Sequence, residues 1–236
     1  MRINKKFAAT GLAALLAVGL SGCSGDGGQS GPTQRELTAA ERLSAAKKTL
    51  DAAPSVHLAL TSEGVPQNAS GVVSADGWGA HPPAFKGTFK VSLKGIQADA
   101  QVTSVDGEVW AKLPFVPGTN KVDPKTFGIP DPAVLFSPDK GLTNLLPATA
   151  SPTLGRQTRK GSEVLTTITG TVPGSAVADL FLIGDRNGTF EATYALTKDN
   201  QLREVGLVGP FFGSATTSTY TLTLDQYGQP VTITKP

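Results

Sequence analysis

A chain of 236 residues with one cysteine, Cys23, and two histidines, His57 and His81, has little material for several kinds of chemistry. One cysteine excludes an internal disulfide and any multi-thiolate zinc site, so packing must hold the domain together. Two histidines far apart in sequence leave a His-based metal centre or a Ser-His-Asp triad short of parts. His57 falls in a strand-like alternation and reads as a polar-face or satisfied core imidazole. No G-x-S-x-G, no P-loop and no G-x-G-x-x-G after a strand is present. Asp76, Asp106, Asp185 and Asp199 fall at turn-like positions, where a carboxylate stabilises the bend, and no pair of them reads as catalytic. The expectation is therefore a protein that is not an enzyme and needs no cofactor or metal.

Also missing is an apolar run long enough to cross a bilayer. Phe7 to Leu20 is uncharged, but fourteen residues make roughly 21 Å of helix against a hydrocarbon core of ~30 Å. Preceded by Arg2, Lys5 and Lys6, this stretch suits the apolar part of a signal peptide. It ends in Leu20-Ser21-Gly22-Cys23, which resembles the bacterial lipobox. Residues 1–22 are thus expected to be a lipoprotein signal peptide, with Cys23 the acylated N-terminus. An acylated sulfur also cannot serve as a nucleophile. Residues 23–34 read as that cysteine plus a Gly/Ser-rich tether, and residues 35–236 as one domain. The expected location is the outer face of the cytoplasmic membrane, held by the lipid on Cys23. After processing, 18 basic residues face 19 acidic ones, a net charge of −1. Without a basic run, nucleic acid is not an expected partner.

What the domain does have is periodicity. Thr38-Ala39-Ala40-Glu41 fits a capping box, and Ala39, Leu43, Ala46, Leu50 and Ala53 form one apolar stripe before Pro54. The period then changes to two. Val56, Leu58 and Leu60 alternate with polar or small neighbours, Ser70 to Ala75 suggests a second strand, and turns are expected at Asp76-Gly77 and Pro82-Pro83. Phe89, Val91 and Leu93 form the next alternation, broken by Gly95. Ile96, Ala98, Ala100 and Val102 continue it, and Asp106-Gly107 marks a hairpin before Glu108 to Leu113. Pro114 to Pro130 reads as loop. Short helices are expected from Asp131-Pro132 and from Ser137-Pro138, the second carrying Leu142, Leu145 and Leu146. Strands resume over Thr153–Arg159 and Glu163–Val172, a helix over Pro173–Ile183, and strands over Thr189–Lys198, Leu202–Val208, Thr216–Asp225 and Val231–Thr234. The pattern is an antiparallel meander with one apolar face.

The apolar residues outnumber what surface strands need, and two readings remain open. They fill an ordinary solid core, leaving a surface interaction protein, or they line a gap under a curved sheet. Ala98, Ala100, Ala111 and Ala192 are small enough to leave such a gap. Each ligand methylene buried there would contribute about 0.8 kcal/mol.

The block from Asp131 to Leu146 (DPAVLFSPDKGLTNLL) resembles the D-P-x-x-L-x-x-P-D-x-G-L-x-x-L-L pattern of the mycobacterial LppX/LprG-type (LppX_LprAFG) lipoproteins. Ser55-Val56-His57 after the first helix and Asp106-Gly107 before an aromatic-bearing strand agree in order. So does Tyr227-Gly228-Gln229-Pro230-Val231-Thr232, although Tyr227 stands where that family usually has Trp. The resemblance implies an α+β fold: a strongly curved antiparallel sheet, a half-barrel, with helices on its concave face. It implies a hydrophobic cavity for the chains of di- or triacylated envelope lipids or lipoglycans, carried across the envelope, with a membrane lipid exporter conceivable as handover partner. Mapped onto this chain, Phe89, Val91 and Leu93, with Val102 on the next strand, would form the cavity wall. Leu135, Leu142, Leu145 and Leu146 would lie near its mouth.

Overall fold

In a computed structural model, residues 35–93, 95–114 and 116–236 are described. The expected signal peptide, Cys23 and the Gly/Ser-rich tether fall outside them. Helix α1 (Ala39–Asp51) begins as its capping box dictates. The Glu41 amide donates to the Thr38 hydroxyl, and the Thr38 amide donates to the Glu41 carboxylate at 2.8 Å. Ala39, Leu43, Ala46 and Leu50 face inward along the expected stripe.

Eleven strands follow: β1 (Ser55–Glu63), β2 (Gly71–Ala80), β3 (Ala84–Leu93), β4 (Ile96–Val105), β5 (Glu108–Lys112), β6 (Asn120–Val122), β7 (Ala150–Lys160), β8 (Glu163–Pro173), β9 (Thr189–Leu196), β10 (Leu202–Gly209) and β11 (Ser218–Asp225). All pair antiparallel in one sheet, ordered β6-β5-β4-β3-β2-β1-β11-β10-β9-β8-β7. Two meanders, β1–β6 and β7–β11, thus meet where β1 lies beside β11, with Leu58 opposite Leu224. β6 and β7 end the sheet, which is not closed. Helix α2 (Gly174–Phe181) links β8 to β9, and 3-10 turns at Pro124–Phe127, Pro132–Phe136 and Leu142–Leu145 link the meanders.

The sheet curls around these short pieces. β4 and β8 are seven strand spacings apart, roughly 34 Å if the sheet were flat. Yet the Pro132–Phe136 turn touches β2, β3 and β4 and also the Leu142–Leu145 turn, which in turn touches α1 and α2, and α2 lies on β8 and β9. These short pieces thus bridge β4 and β8 across one face of a long twisted sheet, and such sheets coil. The fold is α+β, as expected.

Four local expectations are corrected. Asp76-Gly77 is no turn, because β2 runs through it to Ala80. Glycine is needed there for close approach: a Cβ on Gly77 would sit 2.6 Å from Gly87 Cα, and one on Gly79 would strike the Phe136 ring. Val231–Thr234 forms no strand, since β1 and β11 each already have two neighbours and offer no free edge. Residues 114–130 are not all loop, for they hold β6 and the first 3-10 turn. The helices expected after Asp131 and Ser137 are 3-10 turns. Asp131 does cap the first, accepting from Ala133 N at 2.9 Å, but Pro138 and Pro147 leave no room for α-helical turns.

Candidate functional site

The inner face of β3, β4 and β5 is hollow. Antiparallel pairing places Phe89 beside Ala100, Val91 beside Ala98 and Leu93 beside Ile96. The next rows place Val102 beside Ala111 and Val109 beside Val122 of β6. Three alanines on this floor leave the space that larger side chains would fill. Over them returns the segment after β5, bringing Val116, Phe127, Ile129 and several prolines. Together they enclose a cavity of about 600 Å³. Its lining is almost wholly apolar, with Lys90, Gln97 and Asp99 as the polar exceptions. Ile96 is 75% exposed, and Val116 and Phe127 are also exposed, so the cavity opens through an apolar rim.

The cavity-wall residues named from sequence separate into three groups. Phe89, Val91, Leu93 and Val102 line the cavity. Leu135 borders an adjoining recess of about 30 Å³ that also touches Phe89. Leu142, Leu145 and Leu146 do not line either space: they are buried to 1–2% exposure in the packed core. Their turn is held against α1 and α2, and so lies deep between helices instead of at a mouth. Of the four small residues, Ala98, Ala100 and Ala111 are on the cavity floor, whereas Ala192 is sealed within the core of the second meander. Sequence reasoning missed Val109, Val122, Phe127 and Ile129. For Val109 the signal was present, since it alternates with Ala111. The others sit in a Pro-rich stretch whose apolar residues show no period.

Charge gathers at the outer edge of this region. Glu108 of β5 accepts from Lys121 of β6 and from Lys235 of the C-terminal tail, each at 2.7 Å. Those two hydrogen bonds lower its carboxyl to about 2. The Lys235 ammonium also lies 5.4 Å from the centre of the Trp110 ring. His57 stands apart from the cavity, its ring nitrogens 2.8 Å from Asp225 and 3.4 Å from Asp76, with Trp78 packed beside it. Among the described residues no group of three or more His, Cys, Asp or Glu side chains is arranged to hold a metal.

A family model described as the LppX_LprAFG lipoprotein matches residues 38–233. The lipoarabinomannan carrier protein LprG of Mycobacterium tuberculosis H37Rv is 30% identical over 233 residues, covering 97% of this chain and 93% of the relative. LprG of Mycolicibacterium smegmatis is 29% identical over 248 residues, covering 100% and 99%. Among solved structures, LprF of Mycobacterium bovis superposes with a TM-score of 0.71 at 18% identity, covering 84% of this chain and 96% of that one. LppX of M. tuberculosis does so with a TM-score of 0.61 at 18% identity, covering 83% and 98%. The two structures share the fold seen here, and the family is not an enzymatic one. The chain belongs to the LppX_LprAFG lipoprotein family.

Proposed function

We propose that this protein is a lipid-binding lipoprotein of the cell envelope that shelters acyl chains in the cavity under β3–β5. The observation that carries this reading is the apolar space of about 600 Å³ floored by Ala98, Ala100 and Ala111. A solid-core interaction protein would leave no such space, and this volume falls in the range of real ligand sites. The names of the LprG relatives, carriers of a lipoglycan, agree in ligand class. There is no chemical step. Chains leave water for the cavity at about 0.8 kcal/mol per methylene, and the polar head stays outside. Acylation of Cys23 would hold the domain at the membrane, close to its lipid source. Transfer across the envelope is part of the same reading, with a membrane exporter as the protein that would hand lipid over.

Capacity sharpens the proposal. At about 30 Å³ per methylene-sized group, the cavity holds roughly 20 of them, about one long chain. A di- or triacylated lipid therefore needs the covering segment, residues 116–132, to swing outward. That segment pairs with the sheet through the three-residue strand β6 and is tied to β4 at its far end, where the Ser104 hydroxyl donates to Asp131.

The test is mass spectrometry of lipid extracted from the Cys23→Ala protein, expressed in an actinobacterial host so that its own anchor contributes nothing. Stoichiometric acylated lipid is expected, with loss of at least about 80% in Ala98→Trp, whose indole would occupy the floor. A folded, lipid-free Cys23→Ala protein would refute the reading.

A further inference from the structure

The start of α1 and one bare strand lie at the same end of the sheet. β7 is an edge strand beside β8, and every position in it except Pro152 is exposed. Its hairpin with β8 closes at Lys160 opposite Glu163, and Thr166 of β8 lies opposite Leu196, the last residue of β9. The turn after β9 holds the first turn of α1: the Arg42 guanidinium donates to the Thr197 carbonyl at 2.6 Å and to Asn200 Oδ1 at 2.9 Å. Fourteen residues link Leu37, just before α1, to Cys23. A lipid on Cys23 would thus be at most roughly 50 Å of chain away from this end.

Two features of the hairpin need a joint account. Arg156 and Arg159 have no ion-pair partner among the described residues, whereas Glu163 is taken by Arg203 and Glu204 by Lys160. Lys198, in the turn after β9, is likewise without an ion pair, and Asp199 beside it offsets one charge. Leu154 pairs with Ile168 and Arg159 with Val164, and Val164 and Ile168, four apart on β8, share one face. Ile168 is buried, but Leu154 is 47% and Val164 44% exposed. Charge and two register irregularities on an edge strand guard against pairing with another sheet. Guarding does not account for a bare leucine and valine, which make such an edge more adhesive. Arginines framing exposed aliphatic side chains suit a bilayer interface, where cations meet anionic lipid and aliphatic groups enter the headgroup layer.

We infer that the β7–β8 hairpin seats the domain on an anionic bilayer surface through Arg156 and Arg159, with Leu154 and Val164 entering the headgroup layer. The acylated Cys23 of the reading above would bring this end of the domain within reach. The acyl cavity takes no part in the seat, so lipid occupancy is expected to be the same whichever way its test falls.

That test places a nitroxide on the full chain with Cys23→Ala and Val164→Cys, which leaves a single thiol. Vesicles are phosphatidylcholine alone or mixed with phosphatidylglycerol. On mixed vesicles the label is expected to gain access to oxygen and lose access to a water-soluble nickel complex, and on phosphatidylcholine alone to stay in water. Arg156→Gln with Arg159→Gln should lower the ratio of seated to free label about 25-fold, at about fivefold per cation. Arg156→Lys with Arg159→Lys should keep most of it. Both positions are exposed, so the fold is expected to hold in each pair. A label that stays in water on mixed vesicles, or that ignores the double glutamine substitution, overturns the seat. Burial of the label that grows with protein concentration and needs no vesicle also overturns it, and assigns β7 to a second copy of the chain.

Discussion

The inward positions of β9, β10 and β11 carry Phe190, Tyr194, Leu196, Leu202, Val205, Leu207, Tyr220 and Leu222, none more than 1% exposed. The corresponding positions of β4 and β5 carry Ala98, Ala100, Val102, Val109 and Ala111. Both meanders alternate inward and outward with the same period, and both are covered from the same side. They differ in side-chain volume and in cover. The second meander is packed by α1, α2 and a ring cluster in which Phe211 lies 4.7 Å from Phe190 and 4.4 Å from Tyr220. The first is roofed near β5 by a Pro-rich segment that is joined by three residues of strand and by the Ser104 hydroxyl donating to Asp131. One sheet thus supplies a stabilising half and a hollow half, and the second can stay empty because the first carries the packing.

Breaking the filled half should cost the most. Phe190 is fully buried, and its ring occupies the space that a Cβ on Gly209 would need. Phe190→Ala is expected to destabilise by about 3–5 kcal/mol, measured by urea unfolding, while lipid occupancy of the folded fraction is kept. A cost below about 1 kcal/mol would mean that the second meander is not the packed half.

Next comes a matched pair that exchanges the two environments. Ala192→Phe inserts a ring where no space exists and should destabilise by about 1–3 kcal/mol. Ala98→Phe inserts the same ring above the cavity and should change stability by less than about 0.5 kcal/mol. Its effect should appear in lipid occupancy instead. Equal stability losses from the two substitutions would erase the distinction between the halves.

That pair also shows how far the residues could be read before the fold was known. Alternation located the strands, because half-buried strands must repeat every two residues. The Thr38–Glu41 box located α1 because its hydrogen bonds are local. Resemblance to the family supplied the curvature and the expectation of a cavity, which periodicity cannot. Ala98 and Ala192 look alike in sequence, since each is a small residue in an alternating strand. Only long-range packing, with α2 near one and residues 116–132 over the other, separates hollow from filled. The leucines of residues 142–146 were misplaced for the same reason, as their burial depends on α1 and α2. Asp76-Gly77 misled because glycine permits both a tight turn and close approach of a ring.

Tyrosine titration reports on the filled half alone. The chain has three tyrosines, Tyr194, Tyr220 and Tyr227, all on or after β9. Burial raises Tyr194 and Tyr220 to about 12, and Tyr227 higher still. A folded-state value above the unfolded one near 10 favours the protonated phenol. This stabilisation is complete below pH 10 and lost as pH rises through 12. At pH 10.5 the native protein should show almost no tyrosinate absorbance at about 295 nm, and the urea-unfolded chain most of it. A native titration midpoint near 10 would place these rings in water.

The smallest effect belongs to the hollow half, at the other end of the pH scale. Glu108 joins β5 to β6 through Lys121 and to the tail through Lys235, and its carboxyl lies near 2 because both lysines donate to it. A depressed carboxyl contributes stability above its unfolded value, near 4.5, and loses it as pH falls toward 2. The side chain is 32% exposed and both lysines reach it from the surface, so solvent and salt screen the contribution. Amide exchange at Val109 and Val122, which pair across β5 and β6, should be unaffected by Glu108 ionisation from pH 7 to 5. Once the intrinsic pH dependence of exchange is removed, protection should fall between about 4.5 and 2. Glu108→Gln should flatten that acid-side decline and leave the tyrosine titration untouched. If the substitution moved both, the two halves would open as one unit, and the hollow half could not admit a lipid without loosening the packed half that supports it.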